Sequence, residues 1–230
     1  MENVTTWDEK FNSWLKDRGA RPIGLYSVRF TVKALKDETT IIQDFRLRDR
    51  NCPDGVANAI DDIKRKMHGT LVHPPAVGGP GEDVKRDVLG FQVSQYGETR
   101  ARIIEPGYPK LGVVAQRTEM EVLFRHRFSS KAVTLEQGDA RTFDMYFVSE
   151  LDCTFGLEMN VTAGNEDTWI PVNISPAWSE GEGAAIAGPE SEYDTLARPK
   201  ADGPGMELAR NATGQGAVPR LNITVDDVTT

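Results

Sequence analysis

The stretch Ser149-Glu-Leu-Asp-Cys-Thr-Phe-Gly-Leu-Glu-Met-Asn-Val-Thr-Ala-Gly164 alternates apolar and polar residues without a break from Leu151 to Ala163. Leu151, Cys153, Phe155, Leu157, Met159, Val161 and Ala163 fall on one side, and Asp152, Thr154, Gly156, Glu158, Asn160 and Thr162 on the other. Successive strand side chains point to opposite faces, so a period of two marks a β-strand with one buried face. Thirteen residues at about 3.3 Å each span roughly 43 Å, longer than the usual strand. A sheet with one wetted face tolerates that length if Gly156 lets the chain bend or bulge. The apolar side makes this strand central to a core, where each large buried side chain is worth about 1.5–3 kcal/mol. A Phe155→Asp change is therefore expected to unfold the domain. Cys153, on the apolar side, reads as a small buried hydrophobe. A disulfide to Cys52, the only other thiol, stays open, and two Cys without close ligand spacing make no zinc site.

Upstream, Tyr26, Val28, Phe30, Val32 and Ala34 alternate with polar residues. A turn at Lys36–Thr39 leads to a second run with Ile41, Phe45 and Leu47 aligned, and the two read as an antiparallel hairpin. Residues 54–68 predict a helix, capped by Asp54, with Val56, Ile60, Ile63 and Met67 as its buried stripe. His73–Gly81 is a loop by composition. Further strands are expected near 88–95, 100–104, 111–116, 119–128, 132–136, 142–148 and 168–174. At the start, Thr6-Trp-Asp-Glu9 is a capping-box pattern. It opens an amphipathic helix over about 7–18 with Trp7, Phe11, Trp14 and Leu15 on one face and Gly19 as its stop. Its polar face sums to zero charge, which favours docking on protein over lying in a membrane interface. The expected fold is mainly β (α+β): an antiparallel sheet or sandwich body, an N-terminal helix, the helix at 54–68 and an irregular acidic tail. The divisions are 1–20, 21–178 and 179–230.

The formal charge is −8. From Ser179 onward nine carboxylates face four cations, so the tail carries −5 and the rest −3. Such a balance gives no overall attraction to nucleic acid or anionic lipid. One local exception is Arg100–Lys131, with seven cations (Arg100, Arg102, Lys110, Arg117, Arg125, Arg127, Lys131) and three carboxylates (Glu105, Glu119, Glu121). Alternation puts Arg125 and Arg127 on one face of a strand and Met120, Val122, Phe124, His126 and Phe128 on the other. A basic sheet surface there is a candidate site for phosphates of RNA or an anionic membrane. The competing reading is a salt-bridged solvent face. After Pro176 the pattern decays up to Pro219 and reads as loosely draped. The last apolar beat, Leu221, Ile223 and Val225, is placed to add an edge strand or to bind a neighbour in trans.

No reactive constellation appears. His68, His73 and His126 lie in no metal or catalytic motif, and no nucleophile elbow, Walker loop or dinucleotide fingerprint occurs. The residues therefore predict no enzyme, no cofactor, no metal and no small-molecule substrate. The first residues show no signal peptide and no apolar run is long enough to span a membrane. Five Asn-X-Ser/Thr sequons (Asn3, Asn160, Asn173, Asn211, Asn222) are accordingly read as unglycosylated. The reading is a structural or assembly protein that self-associates through Trp7, Phe11, Trp14 and Leu15 or through Leu221, Ile223 and Val225. The alternatives are a viral capsid or movement-type β protein and, in another class, a β-rich enzyme or small-ligand binder.

The order of elements resembles the matrix proteins of rhabdoviruses over about residues 25–165. Phe30-Thr-Val-Lys33 looks like that family's first core strand, followed by a second strand and the helix at 54–68. Arg141-Thr-Phe-Asp-Met-Tyr-Phe147 running into the opening strand looks like its paired C-terminal strands. The resemblance implies a non-enzymatic virion protein that condenses nucleocapsid and self-associates beneath a membrane. Its partners would be itself, viral nucleoprotein, RNA or an anionic membrane surface. It would reside in the host cytoplasm and the virion, and would not be secreted. The chain differs from that family in having no basic N-terminal arm, no basic net charge and no Pro-Pro-x-Tyr, since Pro74-Pro75 is followed by Ala-Val.

Overall fold

Two layers of strand face one another across a phenylalanine-rich core. The structure, a computed structural model, describes residues 4–35, 37–53, 70–72, 86–114, 117–176, 179, 181–188, 195–199, 206–210 and 220–226. The expected helix at 54–68 and the loop at 73–81 lie outside these residues. In chain order the elements are α1 (Val4–Asp17), β1 (Leu25–Lys33), β2 (Thr40–Asn51), β3 (Thr70–Val72), β4 (Arg86–Gln92), β5 (Arg102–Ile104), β6 (Lys110–Val114), β7 (Arg117–Arg127), β8 (Val133–Leu135), β9 (Ala140–Val148), β10 (Cys153–Ala163), β11 (Glu166–Val172), β12 (Ala184–Ile186), β13 (Thr195–Pro199), β14 (Met206–Arg210) and β15 (Arg220–Val225). The fold is mainly β with an N-terminal helix. No described helix is long and apolar enough to cross a membrane.

A seven-stranded sheet runs β1-β9-β4-β5-β7-β15, with β6 also on β7. A five-stranded sheet runs β11-β10-β2-β8, with β12 also on β10. A small third sheet runs β14-β13-β3. Pairing is not purely antiparallel: β4 with β9, β15 with β7 and β13 with β3 are parallel. The first sheet contributes Leu89, Phe91, Phe143, Met145 and Phe147 to the core, and the second Ile42, Phe45, Leu47, Phe155 and Leu157. Ring pairs join the layers, with Phe45 5.0 Å from Phe143 and Phe147 4.9 Å from Phe155 between centroids. Such edge and tilted contacts suit the aromatic quadrupole.

The deciding stretch forms β10 as eleven residues, starting at Cys153, with Cys153, Phe155, Leu157, Met159 and Val161 buried as expected; the alternation breaks at Gly156, which is buried as well, and fades at Ala163, which is half-buried. The bulges lie on the partner strand, β2, and not at Gly156. Thr154 opposes Asn51 and Gly156 opposes Arg48, then Asn160 opposes Asp44 and Val161 opposes Ile42. Each step leaves an extra residue on β2, and Asp49 there takes a left-handed φ of 49°. The second extra residue, Gln43, shifts the phase of β2. Ile42, fully buried, takes the core position expected of Ile41.

The expected β1–β2 hairpin is wrong. β1 pairs over its whole length with β9, and β2 lies in the opposite sheet between β10 and β8. The connection is tied to the loop before β9, with Ala34 N–H donating to the Asp139 carbonyl at 3.0 Å and Gly138 N–H to the Ala34 carbonyl at 2.9 Å. The inward residues of the two strands therefore face one another, and Phe30 meets Phe45 at 6.0 Å. Helix α1 stops as expected. Ala20 N–H donates to the Leu15 carbonyl and Gly19 N–H to the Lys16 carbonyl, with Gly19 at φ 58°; this is the Schellman pattern that glycine permits.

The tail is not irregular from residue 179. β12 pairs with the start of β10, and Ala184 and Ile186 are buried in the main core. Ala187 bridges to Ile23. Two apolar residues spaced by two are enough for an edge strand once β10 offers a free edge. A boundary at 178/179 therefore cuts through the body.

Candidate functional site

The candidate basic surface centres on β5 and β7, where Arg102 pairs across from Arg127. Glu98 receives both: Arg102 Nε donates to its Oε2 at 2.7 Å, and Arg127 Nε lies 2.5 Å from its Oε1. Arg125 Nε donates to Glu105 Oε2 at 2.5 Å, and its Nη1 to Asp226 Oδ2. Lys131 Nζ donates to Asp87 Oδ1 at 3.3 Å, while Arg141 Nε donates to Asp87 Oδ2 at 2.6 Å. Arg100 turns toward the other sheet and donates to Asp44 Oδ2 at 3.0 Å. Lys110 is exposed at the start of β6, opposite Glu121; the side chain of Arg117 lies outside the described residues.

Among the described residues the cations of this segment are interleaved with carboxylates. Five are paired, and the carboxylates Asp44, Asp87, Glu98 and Asp226 come from outside residues 100–131. A count within one window cannot see acids that folding brings in from elsewhere. The more exposed of these pairs, such as Arg127–Glu98, contribute about 0–1 kcal/mol each, whereas Asp44 and Asp87 are buried.

His126 is exposed, not inward. Ile104 opposes Phe124 and Arg102 opposes Arg127, so β7 carries an extra residue there and the alternation breaks. Cys153 is joined to Cys52, which ends the question of a reactive thiol: among the described residues no cysteine is free. Nor do three His, Cys, Asp or Glu among them gather in metal-binding geometry.

The terminal candidates are both placed on elements. In α1, Phe11 and Trp14 stack at 6.1 Å, the Arg18 guanidinium lies 4.4 Å over the Trp14 ring, and Leu15 is buried. Trp7 belongs to the helix, with its side chain outside the described residues. Leu221, Ile223 and Val225 lie on β15, in parallel register with Met120, Val122 and Phe124 of β7. Ile223 packs against a second apolar cluster of Ile104, Val122, Phe124 and Val148. Val225 stays 44% exposed, and Asp226 N–H donates to the Phe124 carbonyl at 2.9 Å. The strand is at the edge of the sheet.

One group went unnoticed in the sequence. On the polar face of the five-stranded sheet, Arg46 Nε donates to Glu158 Oε2 at 2.8 Å. The guanidinium carbons of Arg46 and Arg100 lie 4.0 and 4.7 Å from the Trp169 ring centroid. Asp44 is buried beside them, accepting from Phe45 N–H at 2.8 Å as well as from Arg100. Burial raises its pKa above the usual carboxylate value even against these hydrogen bonds and the Arg100 charge. Asn160 Oδ1, in the same face, is buried without a hydrogen-bond partner. The alternation of Asp44, Arg46 and Arg48 hinted at this face; the register that brings Trp169 opposite Asn160 did not show. Comparison of the chain with protein-family models, with curated proteins and with solved structures finds no match.

Proposed function

We propose that the chain is a non-enzymatic structural protein that assembles with copies of itself by exchange of β15, with the α1 face as a second contact. The observation that carries this reading is the edge position of the last strand. Among the described residues, β15 adds to β7 by main-chain pairing, with the Arg125–Asp226 ion pair and the half-buried Ile223 beside it. Strands that complete a neighbour's sheet use these elements: main-chain bonds for affinity and alternate side chains for register. An element docked in cis through one edge docks equally well in trans, which is the economy of domain swapping. The ion pairing of Arg100, Arg102, Arg125, Arg127 and Lys131 favours a second copy over RNA or an anionic membrane as partner. A matrix-like or capsid-like role in a virion is the setting that this assembly reading suits. Its Cys52–Cys153 disulfide favours maturation in an oxidising compartment over the host cytoplasm.

The test is light scattering across a concentration series on the full chain and on chains lacking residues 1–18 or 219–230. The full chain should grow in mass with concentration, and loss of 219–230 should abolish the growth. A full chain of constant monomer mass contradicts the reading. The Asp44–Arg46–Arg100–Trp169 group favours a second reading, a small-ligand binder. A strict monomer whose Trp169 fluorescence answers to a polar ligand would support it.

A further inference from the structure

We propose that Asn173 is an acceptor for an N-linked oligosaccharide, added as the chain passes through an oxidising compartment. This inference is independent of self-association. It rests on two separate observations, the disulfide and the local geometry of one sequon.

The disulfide joins Cys52, just after β2, to Cys153, the first residue of β10, on neighbouring antiparallel strands. Both cysteines are 2% exposed and belong to the main core. Disulfides of this structural kind form and persist where thiols are not kept reduced, in secretory and extracellular settings. Those are also the settings in which Asn-X-Ser/Thr is glycosylated.

Asn173-Ile-Ser175 follows β11 directly. Ile174 is fully buried; its N–H donates to the Glu182 carbonyl at 3.0 Å and its carbonyl accepts from Tyr26 Oη at 2.5 Å. Locking Ile174 inward leaves Asn173 facing solvent, and it is exposed. Asn173 Oδ1 accepts the Ser175 N–H at 2.9 Å, so the two outer residues of the sequon close a turn on the side-chain oxygen. That bond engages the amide oxygen and leaves the amide nitrogen for the sugar; the Ser175 hydroxyl is buried without a hydrogen-bond partner, so the sugar is added before residues 174–176 dock on the body. Asn160 offers the contrast. It lies in the middle of β10 between β2 and β11 with its Oδ1 buried, so a glycan there is incompatible with the sheet. The side chains of Asn3, Asn211 and Asn222 lie outside the described residues.

In the reaction, the Asn173 Nδ2 attacks the anomeric carbon of an oligosaccharide held on a lipid diphosphate. The N–C bond forms, the C–O bond to the diphosphate breaks, the lipid diphosphate leaves with the electron pair, and the amide nitrogen gives one proton to a base. No redox change accompanies the transfer.

The experiment secretes the full chain from eukaryotic cells behind a cleavable leader. It then measures occupancy of each sequon by peptide mass after enzymatic deglycosylation in heavy-oxygen water. Free thiols are counted in the denatured protein. The proposal expects the Asn173 peptide to be occupied in most molecules and no free thiol. Asn173→Gln should remove one glycan from the intact mass, and Ser175→Thr should keep it. An unoccupied Asn173 in secreted, disulfide-bonded protein overturns the proposal, as does recovery of Cys52 and Cys153 as free thiols.

Discussion

Gly90 sits where β4 passes beneath the Phe124 ring. A Cβ at this position would come 2.6 Å from Phe124 Cε1, 2.8 Å from Ile104 Cδ1 and 3.2 Å from the Tyr146 carbonyl oxygen. Phe124 and Ile104 are themselves buried, so neither can swing away. Gly90→Ala should therefore destabilise by about 1–3 kcal/mol, the range for forcing extra volume into a packed cluster. A lower melting temperature checks this; an unchanged one contradicts the second apolar cluster. Two buried acids set opposite pH trends. Burial tends to raise the pKa of Asp87, but the Arg141 hydrogen bond and charge, with Lys131, outweigh it and hold the carboxyl below the usual range. The unfolded chain then binds more protons in that window, so Asp87's contribution is present above about pH 4 and is lost as pH falls through its depressed pKa. For Asp44, raised mainly by burial, the folded chain binds more protons, and stability declines as pH rises from about 4 through its folded pKa. Urea midpoints across acid to neutral pH should show Asp87→Asn costing about 1–3 kcal/mol at neutrality and progressively less in acid. Asp44→Asn should cost less at neutrality than in acid.

Strands were legible because their alternation is local. The eight strands from β4 to β11 all coincide with expected ones to within three residues at either end. Partners were not legible. Whether β1 turns back on β2 or crosses to the facing sheet depends on which edge β9 presents, and β9 lies more than a hundred residues away. Bulges were equally hidden: Gln43 and the extra residue near His126 each flip the alternation that the sequence shows. The ion pairing of the candidate basic surface was hidden for the same reason, since Asp44, Asp87, Glu98 and Asp226 reach it only through folding. At this scale the Cys52–Cys153 bridge, with a sequence separation of 101, fastens the end of β2 to the start of β10. In the chain-entropy account a loop of that length is worth about 4–5 kcal/mol, and loss of a native disulfide typically costs 2–5. The double change Cys52→Ser/Cys153→Ser should lower the denaturant midpoint accordingly. A midpoint unchanged in oxidised protein would mean the bridge adds nothing to the sheet.

For the whole molecule, two segments after β11 meet the body in different ways. The segment after β11 returns as β12 into the main core, whereas β15 joins only at the rim of the seven-stranded sheet. A rim strand can be surrendered without opening the Phe45–Phe143–Phe147 core, so the proposed assembly would be separable from folding. That separation is the central claim, and one covalent readout tests it. Leu123 and Thr224 are register partners on β7 and β15. Cysteines placed at both, Leu123→Cys with Thr224→Cys, and oxidised at high protein concentration will join one chain to itself if β15 stays home, and chain to chain if it is exchanged. On denaturing, non-reducing electrophoresis, exchange of β15 gives covalent dimers and higher species that vanish when either cysteine is omitted. A single monomer band at every concentration would contradict it.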